Sequence, residues 1–262
     1  MLLENKNAVI YGAGGSIGSA VARTFAQEGA RVFLAGRSRD KLDAVAEDIA
    51  DAGGIARVAE VDALDEQAVD EHARAVAAQA GSIDVSFNLI TRSDVQGTPL
   101  VEMTTADFVQ PITRTMTTQF ITARAAARQM IQQKSGVIIA LDSGSAVGSP
   151  MMGATGPADA ALDTFMRNLA AEIGPQGVRV VGIWTAGIPE TLSPEKLAAV
   201  NENMKMDEAA FQGLLAQLAQ MRMLRRSPKL SEVAATAAFL ASDQAAAITA
   251  TFVNVTSGIF PS

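Results

Sequence analysis

Short apolar runs alternate with amphipathic stretches along the whole chain, and this alternation admits few folds. Lys6–Tyr11, Arg31–Ala35, Ile55–Val61, Ile83–Asn88, Gly136–Leu141, Val178–Ile183 and Thr251–Val255 read as strands. Between them, Ile17–Glu28, Arg39–Asp51, Asp65–Gln79, Thr104–Gln133, Ala158–Ile173 and Ser231–Ala241 carry helical spacing, with Leu42, Val45 and Ile49 on one face of the second. Strand and helix in turn predict an α/β fold, a Rossmann-like doubly wound parallel sheet of about seven strands in three layers. Parallel neighbours need crossover connections, and these run right-handed. Pro111 is expected to interrupt the long fourth helix, Gly174-Pro175 to stop the fifth, and Ser231 to cap the last. No internal repeat, low-complexity tract or linker divides the sequence, so residues 1–262 are expected to form a single domain. The least regular stretch is Thr185–Pro228. Its part from about 189 to 228 reads either as a substrate lid, with Met204, Met206, Met221 and Met223 as adaptable lining, or as an ordinary amphipathic helix around Phe211, Leu214, Leu215 and Leu218.

The first strand runs into Tyr11-Gly12-Ala13-Gly14-Gly15-Ser16-Ile17-Gly18, and a helix follows. A nucleotide pyrophosphate needs a tight turn, close backbone approach and a helix N-terminus aimed at it. Glycines supply the first two, and unpaired N–H groups with the helix dipole supply the third. Gly12, Gly14, Gly15, Ser16, Ile17 and Gly18 are therefore candidate cofactor ligands; the rival reading is a tight turn packed on the sheet. The second strand ends in Ala35-Gly36-Arg37-Ser38 with no acidic residue to take an adenosine ribose diol. Arg37 offers a guanidinium fork and Ser38 a hydroxyl, which suits a 2′-phosphate. NADP(H) is expected in preference to NAD(H).

Composition narrows the chemistry. There is no cysteine and one histidine, His72, which excludes disulfides, thiolate metal sites, thiol nucleophiles and multi-histidine metal motifs. A formal net charge of −7 argues against nucleic acid as partner. No signal peptide and no apolar run of bilayer length is evident, so a cytoplasmic protein without membrane contact is expected. His72, in Asp70-Glu71-His72, reads as a solvated surface residue. Arg222, Arg225, Arg226 and Lys229 form a local basic cluster that meets either solvent, another subunit or an acyl-carrier or CoA phosphate. Trp184 walls a pocket or packs in the core.

In this order the motifs resemble the short-chain dehydrogenase/reductase family over nearly the whole chain. The glycine loop is similar to the family's TGxxxGxG, with Tyr11 for threonine and Ser16 for the middle glycine. Val61-Asp62-Ala63 resembles the Asp-Val pair that contacts adenine, and Asn88 matches one residue of NNAG. Phe239-Leu240-Ala241-Ser242-Asp243, Ile248-Thr249 and Val253–Gly258 resemble the closing segment. The resemblance implies one domain, a small-molecule substrate, a homodimer or homotetramer, and cofactor contacts at Asp62, Ala63, Asn88 and Ile188.

It also implies hydride transfer assisted by a tyrosine, a lysine four residues on, and a serine. Here the only tyrosine is Tyr11, and no Tyr-x-x-x-Lys exists. Aligned on the family's helix, Thr155 takes the tyrosine position and Asp159 the lysine position; Thr115 stands where an asparagine is usual. Ser143, in Asp142-Ser143-Gly144-Ser145, is the nearest match to the serine. A threonine is a poor general acid, and a carboxylate raises a neighbour's pKa rather than lowering it. Asp159 could instead accept hydrogen bonds from the nicotinamide ribose, and a desolvated Asp142 or Asp159 could serve as the acid. The expected function is an NADP(H)-dependent oxidoreductase that reduces a carbonyl or conjugated C=C, with Ser143, Thr155 and Asp159 at its active site. The alternative is a non-catalytic NADPH-binding regulator or partner subunit, and a lyase or isomerase on this scaffold comes third.

Overall fold

The computed structural model describes residues 1–261. Its strands are β1 (Asn7–Tyr11), β2 (Arg31–Gly36), β3 (Ile55–Glu60), β4 (Val85–Asn88), β5 (Gly136–Asp142), β6 (Val178–Trp184) and β7 (Thr251–Asn254). The helices are α1 (Ser16–Gln27), α2 (Arg39–Asp51), α3 (Glu66–Ala80), α4 (Thr105–Gln133), α5 (Thr155–Ile173), α6 (Pro194–Val200), α7 (Glu208–Gln220) and α8 (Leu230–Ala241). All seven strands pair in parallel, in the order β3-β2-β1-β4-β5-β6-β7. Residues of β1 alternate between two cores, as a strand's two-residue period requires. Ala8 and Ile10 join Val21 and Phe25 of α1, Leu42 and Ile49 of α2, and Val233 of α8. Val9 and Tyr11 join Val69 and Val76 of α3, Ile121 and Met130 of α4, and Leu162 and Met166 of α5. The expected three-layer α/β sheet is present, and strand order reverses between β1 and β4. In such sheets the ligand crevice opens there, beyond the carboxyl ends of the strands.

Three local expectations are corrected. Pro111 does not break α4: it lies in the second turn, removes one backbone donor, and buries its ring while the helix runs on against α3 and α5. Ser231 does not cap α8, because Lys229 occupies the cap position and the Glu232 carboxylate accepts its backbone N–H at 2.9 Å. The fifth helix starts at Thr155, three residues before the periodic stretch beginning at Ala158, since Thr155 and Asp159 are tied to the loops above the sheet.

The irregular stretch folds into α6 and α7. Ser193 caps α6, its hydroxyl accepting from the Lys196 backbone, and Asp207 caps α7 in the same way from Ala210. Phe211 is buried, whereas Met221 and Met223 are exposed.

Candidate active site

The glycine turn brings the end of β1 under the start of α1. Gly12 has φ +80, and a Cβ there would lie 2.7 Å from the Leu89 carbonyl oxygen, just beyond β4. At Gly18 a Cβ would fall 2.2 Å from the Gly12 carbonyl oxygen. Only hydrogen fits at either place, so helix, turn and the β4 loop close on one another. The N-cap of α1 is Gly15, with no side-chain cap and no acidic residue in the first turn. Its leading N–H groups therefore open into the crevice, where an anion satisfies them. This cradle fits a nucleotide pyrophosphate.

Beyond β2, Arg37 and Ser38 are exposed, and neither side chain has a hydrogen-bond partner among the described residues. Asp62 is exposed beside buried Ala63, and its carboxylate accepts the Leu64 N–H at 3.0 Å. The Asn88 side chain is engaged at both ends, donating to Thr122 Oγ1 at 3.0 Å and accepting from the Ile90 N–H at 2.9 Å. It pins the loop that follows β4. Ile188 is buried after β6, where its carbonyl accepts from both the backbone and the hydroxyl of Thr191. Lys196 reaches over the cradle from α6, with Nζ 3.4 Å from Ser16 Oγ and 3.0 Å from the Thr191 carbonyl.

At the other side of the crevice the structure brings Ser143, Thr155 and Asp159 together. Asp159 is fully buried. Its Oδ2 accepts from the Ser143 hydroxyl at 2.6 Å, the Ser145 N–H at 3.0 Å and the Ser143 N–H at 3.2 Å. Its Oδ1 is paired with Nη1 of Arg92. Both oxygens are thus engaged within the chain and none of the residue is exposed, which shields Asp159 from a ribose hydroxyl. Thr155 is buried and donates its hydroxyl to Asp94 Oδ2 at 2.6 Å, while Gln96 donates to the same hydroxyl at 3.4 Å. Arg92 Nε lies 3.5 Å from Asp94, and its Nη1 also donates to the Thr155 carbonyl at 3.4 Å. Burial acts to lower the Arg92 pKa, but the Asp159 and Asp94 carboxylates more than offset it and hold the guanidinium above its ordinary value.

Arg92 and Asp94 were not singled out from the sequence. They lie in an irregular loop 67 and 65 positions before Asp159, and only the burial of that carboxylate demands a cation beside it. The loop is held by the Gly97 N–H to the Met151 carbonyl at 2.7 Å. It is also held by Asn201, which donates to the Gln96 carbonyl at 2.9 Å. The segment after α6 and the loop after β4 are therefore in direct contact.

Asp142, at the end of β5, is buried with its Oδ1 accepting from the Gly144 N–H at 2.9 Å, whereas Oδ2 has no partner. Burial, with the Asp159 charge and the neighbouring Asp163, pushes its pKa up to about 9. Thr115 is buried with an unpartnered hydroxyl.

Other expectations change. Tyr11 points away from the cradle into the core; burial and Asp70 raise its pKa. His72 is not a solvated residue: it packs edge-on against Tyr11 with Nδ1 3.4 Å from the phenol oxygen, and burial lowers its pKa to about 4. Arg222 does not belong to an exposed basic cluster. It is buried, donating to the carbonyls of Leu218, Ala186, Gly187 and Thr256, while Arg226 pairs with Glu232 at 2.8 Å. Trp184 packs on Phe252 and Gly144 and directs its indole N–H to Asp163 at 3.4 Å. No helix among the described residues is long and apolar enough to cross a membrane.

Residues 12–259 match the family model described as enoyl-(acyl carrier protein) reductase. The chain is 31% identical to oxidoreductase asL5 of Sarocladium schorii, over 98% of this chain and 96% of that one. It is 29% identical to an L-rhamnose 1-dehydrogenase (NAD(P)(+)) of Azotobacter vinelandii, over 99% and 98%. The structure of an NAD+-bound xylitol dehydrogenase superposes with a TM-score of 0.86 at 25% identity, covering 98% of this chain and all (100%) of that one. Glycine cradle, strand order and these relatives agree that the chain belongs to the short-chain dehydrogenase/reductase family of NAD(P)-dependent oxidoreductases.

Proposed function

We propose that this protein is an NADP(H)-dependent reductase of a small-molecule carbonyl, or of a conjugated C=C, working with an atypical active site. The observation that carries the reading is the uncapped α1 N-terminus in its glycine cradle, flanked by an unpartnered Arg37 at the place of the adenosine ribose. Relatives named for NAD(P)+ and NAD+ support the nicotinamide class, and Arg37 with Ser38 supports the 2′-phosphate. Gly12, Gly14, Gly15, Ser16, Ile17 and Gly18 hold the pyrophosphate, Asp62 and Ala63 border the adenine, and the segments pinned by Asn88 and Ile188 border the nicotinamide. The bound cofactor supplies the hydride. Ser143, oriented by Asp159, lines the substrate site, and Thr155 fixes Asp94 beside Arg92. The protein acts as a cytoplasmic homodimer or homotetramer.

The test is a titration with NADPH and NADH read by nucleotide fluorescence, followed by turnover of simple carbonyls. Micromolar NADPH binding, tighter than NADH, is expected. Arg37→Ala should weaken NADPH by about tenfold, one charge-assisted contact, and leave NADH unchanged. Equal affinities that the substitution does not move would refute the NADP assignment. The second reading, an NADPH-binding regulator or partner subunit, draws on the absence of Tyr-x-x-x-Lys and on the engagement of both Asp159 oxygens. It predicts binding without turnover.

A further inference from the structure

The network around Asp159 has one polar edge left over. Asp159 is fully buried with both oxygens engaged. Asp94 accepts the Thr155 hydroxyl and faces Arg92 Nε. Arg92 Nη1 is committed to Asp159 and the Thr155 carbonyl. Its Nη2 has no hydrogen-bond partner among the described residues, and the side chain keeps 16% of its surface. Arg92 sits four residues beyond β4, at the strand-order reversal, and its loop begins at Leu89 and Ile90, which touch the Gly12 turn. A guanidinium clamped on two sides by carboxylates is held in one orientation, and here it keeps Nη2 uncommitted in the loop that leaves the strand-order reversal. Fixed donors aimed at a developing oxyanion, in a site poor in water, are an effective way to stabilise it. A guanidinium remains charged throughout the working pH range.

We propose that Arg92 is the carbonyl-activating residue, binding the substrate oxygen through Nη2 and stabilising the alkoxide that forms on it. The proposal rests on the reductase reading above. The carbonyl carbon accepts a hydride, with its electron pair, from the reduced cofactor, and the π pair moves to oxygen. Arg92 holds the resulting alkoxide without surrendering a proton. The alkoxide then takes a proton from water, and the hydroxide left behind passes to solvent. Asp159 and Asp94 are positioning residues, since they act by holding Arg92. The substrate class is an unhindered aldehyde or ketone whose oxygen reaches the guanidinium.

Removal of Arg92 alone strands Asp159, so the informative variant is Arg92→Met/Asp159→Asn, read against Asp159→Asn alone, which disturbs Ser143 but keeps the guanidinium on Asp94, with Arg92→Lys beside it. The probe is 4-nitrobenzaldehyde with NADPH, read as kcat and KM. NADPH affinity and thermal unfolding are read in parallel. The double variant should bind NADPH within about twofold of the parent and lose about 100-fold or more in kcat; Arg92→Lys should fall between. A readout without turnover uses the aldehyde carrying a 13C carbonyl with NADP+. Its infrared carbonyl band should move to lower frequency on the parent protein and return to the solution position on the double variant. If the double variant keeps kcat within threefold, or the band on the parent is unshifted, Arg92 does not activate the carbonyl and the reductase reading stands alone. If the parent binds NADPH but reduces no carbonyl, or binds no nucleotide, both readings fall.

Discussion

The buried acid Asp142 makes stability depend on pH in a direction that can be worked out beforehand. Its carboxyl is 1% exposed, lacks a donor on Oδ2, and has its pKa pushed from 3.8 up to about 9. Between those values the folded protein holds a proton that the unfolded chain releases. Stability therefore falls as pH rises through that window, by up to tenfold in the unfolding equilibrium per pH unit, and levels off above it. Asp142→Asn keeps the shape and the oxygen that accepts from the Gly144 N–H, but does not titrate. From pH 5 to pH 7 the parent should lose about 100-fold relative to the variant, roughly 2–3 kcal/mol. The assay is urea unfolding at pH 5, 6, 7 and 8, followed by Trp184 fluorescence and circular dichroism. All other titrating groups are common to both proteins and cancel in the difference. Parallel stability curves would refute the reasoning, as would a variant that loses ground to the parent as pH rises.

Arg222→Met should remove the donor from four backbone carbonyls and cost about 2–4 kcal/mol, measured by urea unfolding; NADPH affinity should fall with it, because two of those carbonyls belong to the loop after β6. Gly18→Ala should reduce affinity for NADPH and NADH alike by more than about tenfold, since its Cβ would sit 2.2 Å from the Gly12 carbonyl oxygen and force the cradle apart; fluorescence titration reads this directly.

The fold was legible because every strand and crossover helix leaves a local mark: apolar runs such as Val178–Ile183, helical faces such as Leu42, Val45 and Ile49, and glycines at the first turn. The glycine turn was legible for the same reason, being one continuous stretch. The network around Asp159 was not. Asp159 stands out only as a carboxylate where the family has a lysine, and the cation that answers it lies in the loop after β4 with no periodicity to mark it. Arg222 misleads in the opposite sense. Its neighbours Arg225, Arg226 and Lys229 suggest a solvated cluster, yet its partners are carbonyls, which every residue carries and no sequence pattern displays. His72 likewise gives no sign that Tyr11, from β1, lies against it.

The Arg92–Asp159 contact also constrains how such a protein changes over generations. Arginine at 92 with lysine at 159 would put two cations at one buried point. Aspartate at 159 without arginine at 92 would strand an anion. Either single step costs about 3–5 kcal/mol, a large share of the 5–15 kcal/mol that holds a domain together. The two positions are thus expected to change together. A lineage passing between this arrangement and a lysine at 159 must first cross a state with one of the two charges already neutral, such as asparagine at 159. An enzyme engineer placing a lysine at 159 would have to replace Arg92 together with Asp159, or pass through asparagine at 159 first.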